Sequence, residues 1–298
     1  SLGSSFKDRC IANMYLGIEN YFENQVDRDK IFIHNILKNV DIFHVVGGGY
    51  INNMWSSNLG IVKSCSMLKK KLNSTIYFTG AGFLPLYTSD DLVKKHFSEF
   101  DLVETRDEKS ALGYNVKFGL DDAFLGLKKA KANKYDCIPD VMICIQSDLV
   151  SPIIYDKVIG KIKSRIKEYL DKGLTVGYIE ALPNSDEKAY HKLKSYIPAN
   201  MYFKLEDTLK YGLPVKQNQM WYTSRFHHHL IASALGAKGV ILSFKPGYYD
   251  VKHQSLLDLG TGWSYYSSYQ DEDIPYPSLG ENYQNKAMEY ANQKAHNE

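Results

Sequence analysis

Apolar residues along this chain follow two alternating rhythms, short unbroken runs and longer stretches in which they recur every three or four positions. Residues 10–21 have the helical spacing. Residues 41–46 form an apolar run that stops at Gly47-Gly48-Gly49, which predicts a strand entering a tight loop. Asn52 or Asn53 is placed to cap a helix reaching Leu72. Residues 75–79 predict a second strand, stopped by Gly80-Ala81-Gly82. Thr88-Ser89-Asp90 caps a helix to Phe97, residues 100–104 form a strand that ends at Thr105-Arg106-Asp107, and 116–120 a further short one. Strands separated by helices predict a parallel sheet covered on both faces.

Residues 128–135 are rich in lysine and alanine, and an apolar run at 141–145 follows. A domain boundary is expected there, giving domains 1–132 and 133–298. The second half repeats the rhythm. Helices are expected at 153–171, 187–196, 205–211, after Ser224 and at 252–257, and strands at 174–179, 201–203 and 239–243. The predicted fold is α/β, two Rossmann-like doubly wound domains facing each other. In such sheets ligands sit beyond the carboxyl ends of the strands, where this sequence puts its glycines and polar residues.

Composition narrows the classes. The formal net charge is +2 over 298 residues, too little for the positive field that binding a phosphate backbone demands, so no nucleic-acid partner is expected. Four scattered cysteines without a C-x-x-C pair read as reduced thiols. No apolar run is long enough to span a membrane and no leader pattern opens the chain, so a cytoplasmic protein is expected. No strand pattern precedes residues 10–21, so the first strand of the domain is expected to be missing or altered.

The candidate chemistry gathers at strand ends. Gly47, Gly48 and Gly49 let a phosphate or carboxylate reach backbone amides, or simply make a tight turn; Gly80 and Gly82 pose the same choice. Arg106 can grip an anion with two hydrogen bonds, or pair locally with Asp107 and Glu108. Asp122 can orient a hydroxyl or cap a helix. The densest group is Ser224-Arg225-Phe226-His227-His228-His229, which opens a helix and reads as an anion site, with His227 as the candidate proton donor. No metal is expected there, because consecutive histidines on a helix point about 100° apart. Tyr249 and Lys252, beyond the 239–243 strand, add a ring and a cation.

Together these segments resemble the polysaccharide pyruvyltransferase family. The resemblance rests on the two glycine-rich strand ends, on Arg106-Asp107-Glu108-Lys109-Ser110 as an R-D-x-x-S element, and on Asp122-Ala123-Phe124. It continues with Arg225-Phe226-His227 as an R-x-H helix start and with Tyr249 to Lys252 as Y-x-x-K. The family's opening strand and Asn-x-Gly-Asp loop are not found. The resemblance implies GT-B-like Rossmann domains and an enzyme that moves a pyruvyl unit from phosphoenolpyruvate onto a sugar as a ketal, with no cofactor. It implies that the donor binds mainly to the C-terminal domain, held by Arg106, Arg225 and Lys252, with His227 as general acid. A sugar or lipid-linked oligosaccharide would be the acceptor, the latter bringing the enzyme to the inner membrane face. The rival expectations are a GT-B-type nucleotide-sugar glycosyltransferase and a non-catalytic sugar- or anion-binding module.

Overall fold

A computed structural model describes residues 37, 39–86, 90–130 and 134–297. The helix expected at 10–21 and the cap at Thr88-Ser89 lie outside the described residues. The chain divides into two compact units, Ser1–Asp122 and Ala123–Glu298.

In the first unit, strands β1 (Ile42–Val45), β2 (Thr75–Ala81), β3 (Leu102–Thr105) and β4 (Lys117–Phe118) form a parallel sheet in the order β1-β2-β3-β4. Helices α1 (Leu59–Leu72), α2 (Asp90–Phe97) and α3 (Glu108–Tyr114) connect them. Ile76 and Phe78 of β2 pack with Val62, Leu68, Val93, Phe97 and Phe100 in one apolar cluster, as alternation along a strand requires. The helical turn before α1 is capped by the Asn52 side chain, which accepts from the Met54 amide.

The second unit opens with α4 (Ala123–Ala130) and holds a six-stranded parallel sheet. Its strands are β5 (Val141–Cys144), β6 (Val176–Ile179), β7 (Tyr202–Phe203), β8 (Met220–Thr223), β9 (Lys238–Ser243) and β10 (Ser264–Ser267). Helices α5 (Pro152–Asp171), α6 (Glu187–Leu193), α7 (Leu205–Tyr211), α8 (Phe226–Ala234), α9 (Tyr249–Asp258) and α10 (Tyr283–Asn297) complete it. Alternate residues of the central strands serve two cores: Val141, Ile143, Tyr222, Val240 and Leu242 on one face, Met142, Cys144, Trp221 and Ile241 on the other. A strand apolar on both faces is what a doubly wound sheet needs.

The strand order is β10-β9-β8-β5-β6-β7. The chain runs outward from β5 through β6 to β7, then returns to lay β8 against the other side of β5. The order reverses between β5 and β8, and such a reversal opens a crevice beyond the carboxyl ends of the two strands. The boundary falls at Asp122/Ala123 and not at 132/133, because α4 packs on α8 and α10 of the second unit. Among the described residues no helix is long and apolar enough to cross a membrane.

The two glycine loops of the first unit pack on each other. The Gly82 amide donates to the Gly48 carbonyl at 2.9 Å, and a Cβ on Gly47 would come within 2.8 Å of the Gly80 carbonyl oxygen. Asp122 clips both loops: Oδ2 accepts from the Gly47 amide and from the Thr79 hydroxyl, each at 2.9 Å. Gly80 has φ +59, and a Cβ there would meet Asp122 Cγ at 2.5 Å. Gly80→Ala is therefore expected to cost roughly 2–4 kcal/mol of stability, from the positive φ and the overpacking together. Chemical denaturation measures this, and an unchanged midpoint would contradict the close packing.

Candidate functional site

The described structure divides the residues singled out from the sequence into two groups. Those of the first unit serve its own packing. The Gly47 amide is occupied by Asp122, the Gly49 carbonyl accepts from the Asn52 amide group at 2.9 Å, and the missing Cβ of Gly82 makes room for the Arg106 side chain. Arg106, expected to offer its guanidinium to an anion, is buried against an internal carboxylate. It is 5% exposed, and Nη1 donates to Asp121 Oδ2 at 2.6 Å. Two charges leave water together only when paired, so Arg106 and Asp121 neutralise each other. Asp107 and Ser110 form a helix cap: the Ser110 amide and hydroxyl donate to the two carboxylate oxygens of Asp107 at 2.7 and 2.8 Å.

The second unit brings Ser224, Arg225 and His227 to the end of β8, beside the end of β5. Ser224 follows β8 directly. Its hydroxyl accepts from the Gln146 amide at 2.9 Å and its own amide donates to the Cys144 carbonyl at 3.1 Å, so the ends of β5 and β8 are laced together. Arg225 is the N-cap of α8. Its guanidinium lies along Asp186, with Nε at 3.1 and 3.2 Å from the two carboxylate oxygens and Nη2 also on Oδ1. Nη2 further reaches Ser185 Oγ at 3.3 Å and Asp148 Oδ1 at 3.4 Å.

Asp186 is fully buried and precedes α6. Oδ2 accepts from the amides of Ala181 and Leu182 at 2.8 and 2.9 Å, so the loop after β6 is folded around this carboxylate. The Cys144 thiol lies 3.7 Å from the same oxygen; burial pushes its pKa well up, and the Asp186 charge adds to that. Neither Asp186 nor Asp148 stands out in the sequence. Asp186 reads there as a residue before a helix, and only its partner, an arginine 39 positions later, gives it this role.

The three consecutive histidines separate as a helix dictates. His227 is exposed, whereas His228 and His229 are buried. His229 stacks on Trp263 with centroids 4.6 Å apart, and its Nδ1 lies 3.1 Å from Nδ1 of His253. His253 Nε2 lies 3.4 Å from the Ser224 carbonyl and His229 Nε2 lies 2.9 Å from the Thr261 hydroxyl. A carbonyl only accepts, so His253 carries its proton on Nε2 and accepts on Nδ1 from His229, which in turn accepts from Thr261. This chain braces the Ser224–Arg225 turn from α9. Tyr249 opens α9, and Lys252 holds its Nζ 3.6 Å from the centre of the Tyr248 ring. Among the described residues no three His, Cys, Asp or Glu side chains are grouped to hold a metal ion.

Burial pushes the His228 pKa down to about 3, assisted by the Arg225 and His227 charges, and burial with His253 takes His229 well below its ordinary value. A depressed histidine pKa means that the unfolded chain takes up a proton the folded chain refuses. Stability is thus complete above about pH 6.5 and falls as the pH drops, by about 1.4 kcal/mol per unit for each such histidine. His228→Leu is expected to flatten this slope between pH 6 and 5 by one histidine's share. Denaturation midpoints across that range test it, and an unchanged slope would contradict the burial of a neutral His228.

The sequence matches the family model of polysaccharide pyruvyl transferases over residues 6–246. No curated protein matches it. Among solved structures it is similar to a Listeria monocytogenes protein described as a UDP-N-acetylglucosamine 2-epimerase, with TM-score 0.52 and 10% identity over 97% of this chain and 70% of that one. It is also similar to the S. aureus MnaA–UDP co-structure, with TM-score 0.49 and 10% identity over 98% and 73%. At such identity the first likeness bears on the fold alone, which is α/β and GT-B-like. With the matched residues spanning both units, the chain belongs to the polysaccharide pyruvyl transferase family.

Proposed function

We propose that this enzyme transfers a pyruvyl unit from phosphoenolpyruvate to two hydroxyls of a surface-polysaccharide sugar, forming a ketal and releasing phosphate. One observation carries the reading beyond family membership. At the β5/β8 crevice, Arg225 heads α8 with its guanidinium fixed on one edge by Asp186, and the exposed His227 follows within the first turn. A fixed guanidinium at a helix start suits a doubly anionic donor, since the helix dipole and the fork both favour negative charge there.

In this scheme Arg225 and Lys252 receive the carboxylate and phosphate of the donor. His227, as imidazolium, gives its proton to the methylene carbon, which becomes the methyl group and leaves an oxocarbenium centre at the neighbouring carbon. One sugar hydroxyl adds to that centre and loses its proton. Phosphate then departs with the C–O bonding pair, and the second hydroxyl adds and loses its proton to close the ketal. The proton comes from the protein and the leaving group is the donor's own phosphate, so no cofactor enters. A lipid-linked acceptor would bring the reaction to the cytoplasmic membrane face.

Phosphate release from phosphoenolpyruvate, followed with free and lipid-linked sugars, is expected to depend on the acceptor, and His227→Ala is expected to lower kcat by about 100-fold or more. Near-normal turnover of that variant would remove His227 from proton transfer. No phosphate release, with saturable binding of a nucleoside diphosphate sugar, would replace this reading with a glycosyltransferase.

A further inference from the structure

The two carboxylates on Arg225 are held very differently. Asp186 is 0% exposed and takes the Nε/Nη2 edge of the guanidinium together with two backbone amides. Removing that carboxylate would strand a buried cation and two amide donors. The Asp148 side chain is 36% exposed, and its contact with Nη2 is long at 3.4 Å. Its one short bond is from the Ser185 hydroxyl, which donates to Oδ1 at 2.6 Å and itself accepts from Nη2 at 3.3 Å. Ser147 Oγ donates to the Ser185 carbonyl at 2.7 Å and so holds the seryl loop against the end of β5.

This leaves two features unexplained by packing. One guanidinium faces two carboxylates, so the cluster carries a net negative charge where an anion is to bind. The other end of the fork is only half used, since among the described residues Nη1 has no partner while Nη2 meets the partly exposed Asp148 at 3.4 Å. An oxyanion in place of the Asp148 carboxylate would span Nη1 and Nη2 end-on, the two-bond geometry that a guanidinium favours.

We infer that Asp148 is a resident counter-anion on Arg225 that an incoming oxyanion must displace, and that it thereby sets the affinity of the crevice for anionic substrates. It acts through Arg225 and not on the reacting atoms, so it is a positioning residue. Displacement is inexpensive because Asp148 already faces water and can keep its solvation as it swings away, whereas Asp186 cannot. The inference rests on the reading above in taking Arg225 as the residue that receives the donor.

Inorganic phosphate is the probe, because its binding needs no turnover. Calorimetric titration of the wild-type chain and of Asp148→Asn compares the same shape and the same acceptor for Ser185 with the charge removed. Phosphate is expected to bind Asp148→Asn about tenfold more tightly. In steady-state assays the KM for phosphoenolpyruvate should fall similarly with kcat little changed, a split that a purely structural role would not produce. Asp148→Ala, which also frees the Ser185 hydroxyl, should show the same direction if the charge is what matters.

Equal or weaker phosphate binding by Asp148→Asn overturns the inference, as does the absence of phosphate binding by both proteins. Tighter phosphate binding in a chain that never releases phosphate from phosphoenolpyruvate would sustain it while overturning the pyruvyl-transfer reading. Acceptor-dependent turnover with phosphate affinity unchanged in Asp148→Asn would do the reverse.

Discussion

The geometry of the crevice depends on one buried ion pair, Arg225 with Asp186. A carboxylate with no exposure is tolerable only if its lone pairs are filled, and Asp186 fills them with the amides of Ala181 and Leu182 and the Arg225 guanidinium. Those donors come from the loop after β6 and the turn after β8, the strands that flank β5 on either side. The pair therefore spans the end of β5 and ties its two neighbours. Once Asp186 has taken the Nε/Nη2 edge of the guanidinium, its remaining contacts are those of Nη2 with Ser185 and Asp148. The orientation of the Arg225 guanidinium is thus set by Asp186, a residue with no exposure.

The first unit uses similar materials to a different end. Its glycine loops look in sequence like anion cradles, but Asp122 supplies an internal carboxylate to the Gly47 amide and the Thr79 hydroxyl. The Thr79 oxygen also accepts from His44 Nε2 at 2.8 Å, so the clip extends across β1 and β2. Close approach of backbone to backbone, and of backbone to a carboxylate, is reason enough for Gly47 and Gly80 to lack a side chain. The R-D-x-x-S element likewise bonds within the unit, its arginine to Asp121 and its aspartate to Ser110.

What could be read in advance follows the strength of local signals. β5, β6 and β9 were legible because buried parallel strands are apolar on both faces, and β1 and β2 because their apolar runs stop at glycines. β8 and β10 were not: Met220-Trp221-Tyr222-Thr223 follows a polar loop and holds only three apolar residues, and Ser264–Ser267 sets two tyrosines between serines. The lysines of 128–135 drew the boundary too late, because the inner face of α4 is apolar and belongs to the second core. In the site, Ser224, Arg225 and His227 stood out by adjacency at a helix start. Asp148 and Asp186 lie 77 and 39 positions from Arg225, and only the doubly wound topology makes them neighbours.

That topology also assigns the three histidines without appeal to the reaction. At about 100° per residue, a helix whose inner face lies against the sheet cannot expose all of 227, 228 and 229. His228 packs edge-on to Trp221, and His229 stacks on Trp263 within its hydrogen-bonded chain. A buried imidazole whose pKa is pushed to about 3 has no proton to give near neutral pH, and His229 is depressed by the same burial. Their protonation would cost folding free energy before it could serve catalysis. Of the three, His227 alone is exposed, so the packing that stabilises the helix also selects which ring stays within reach of solvent.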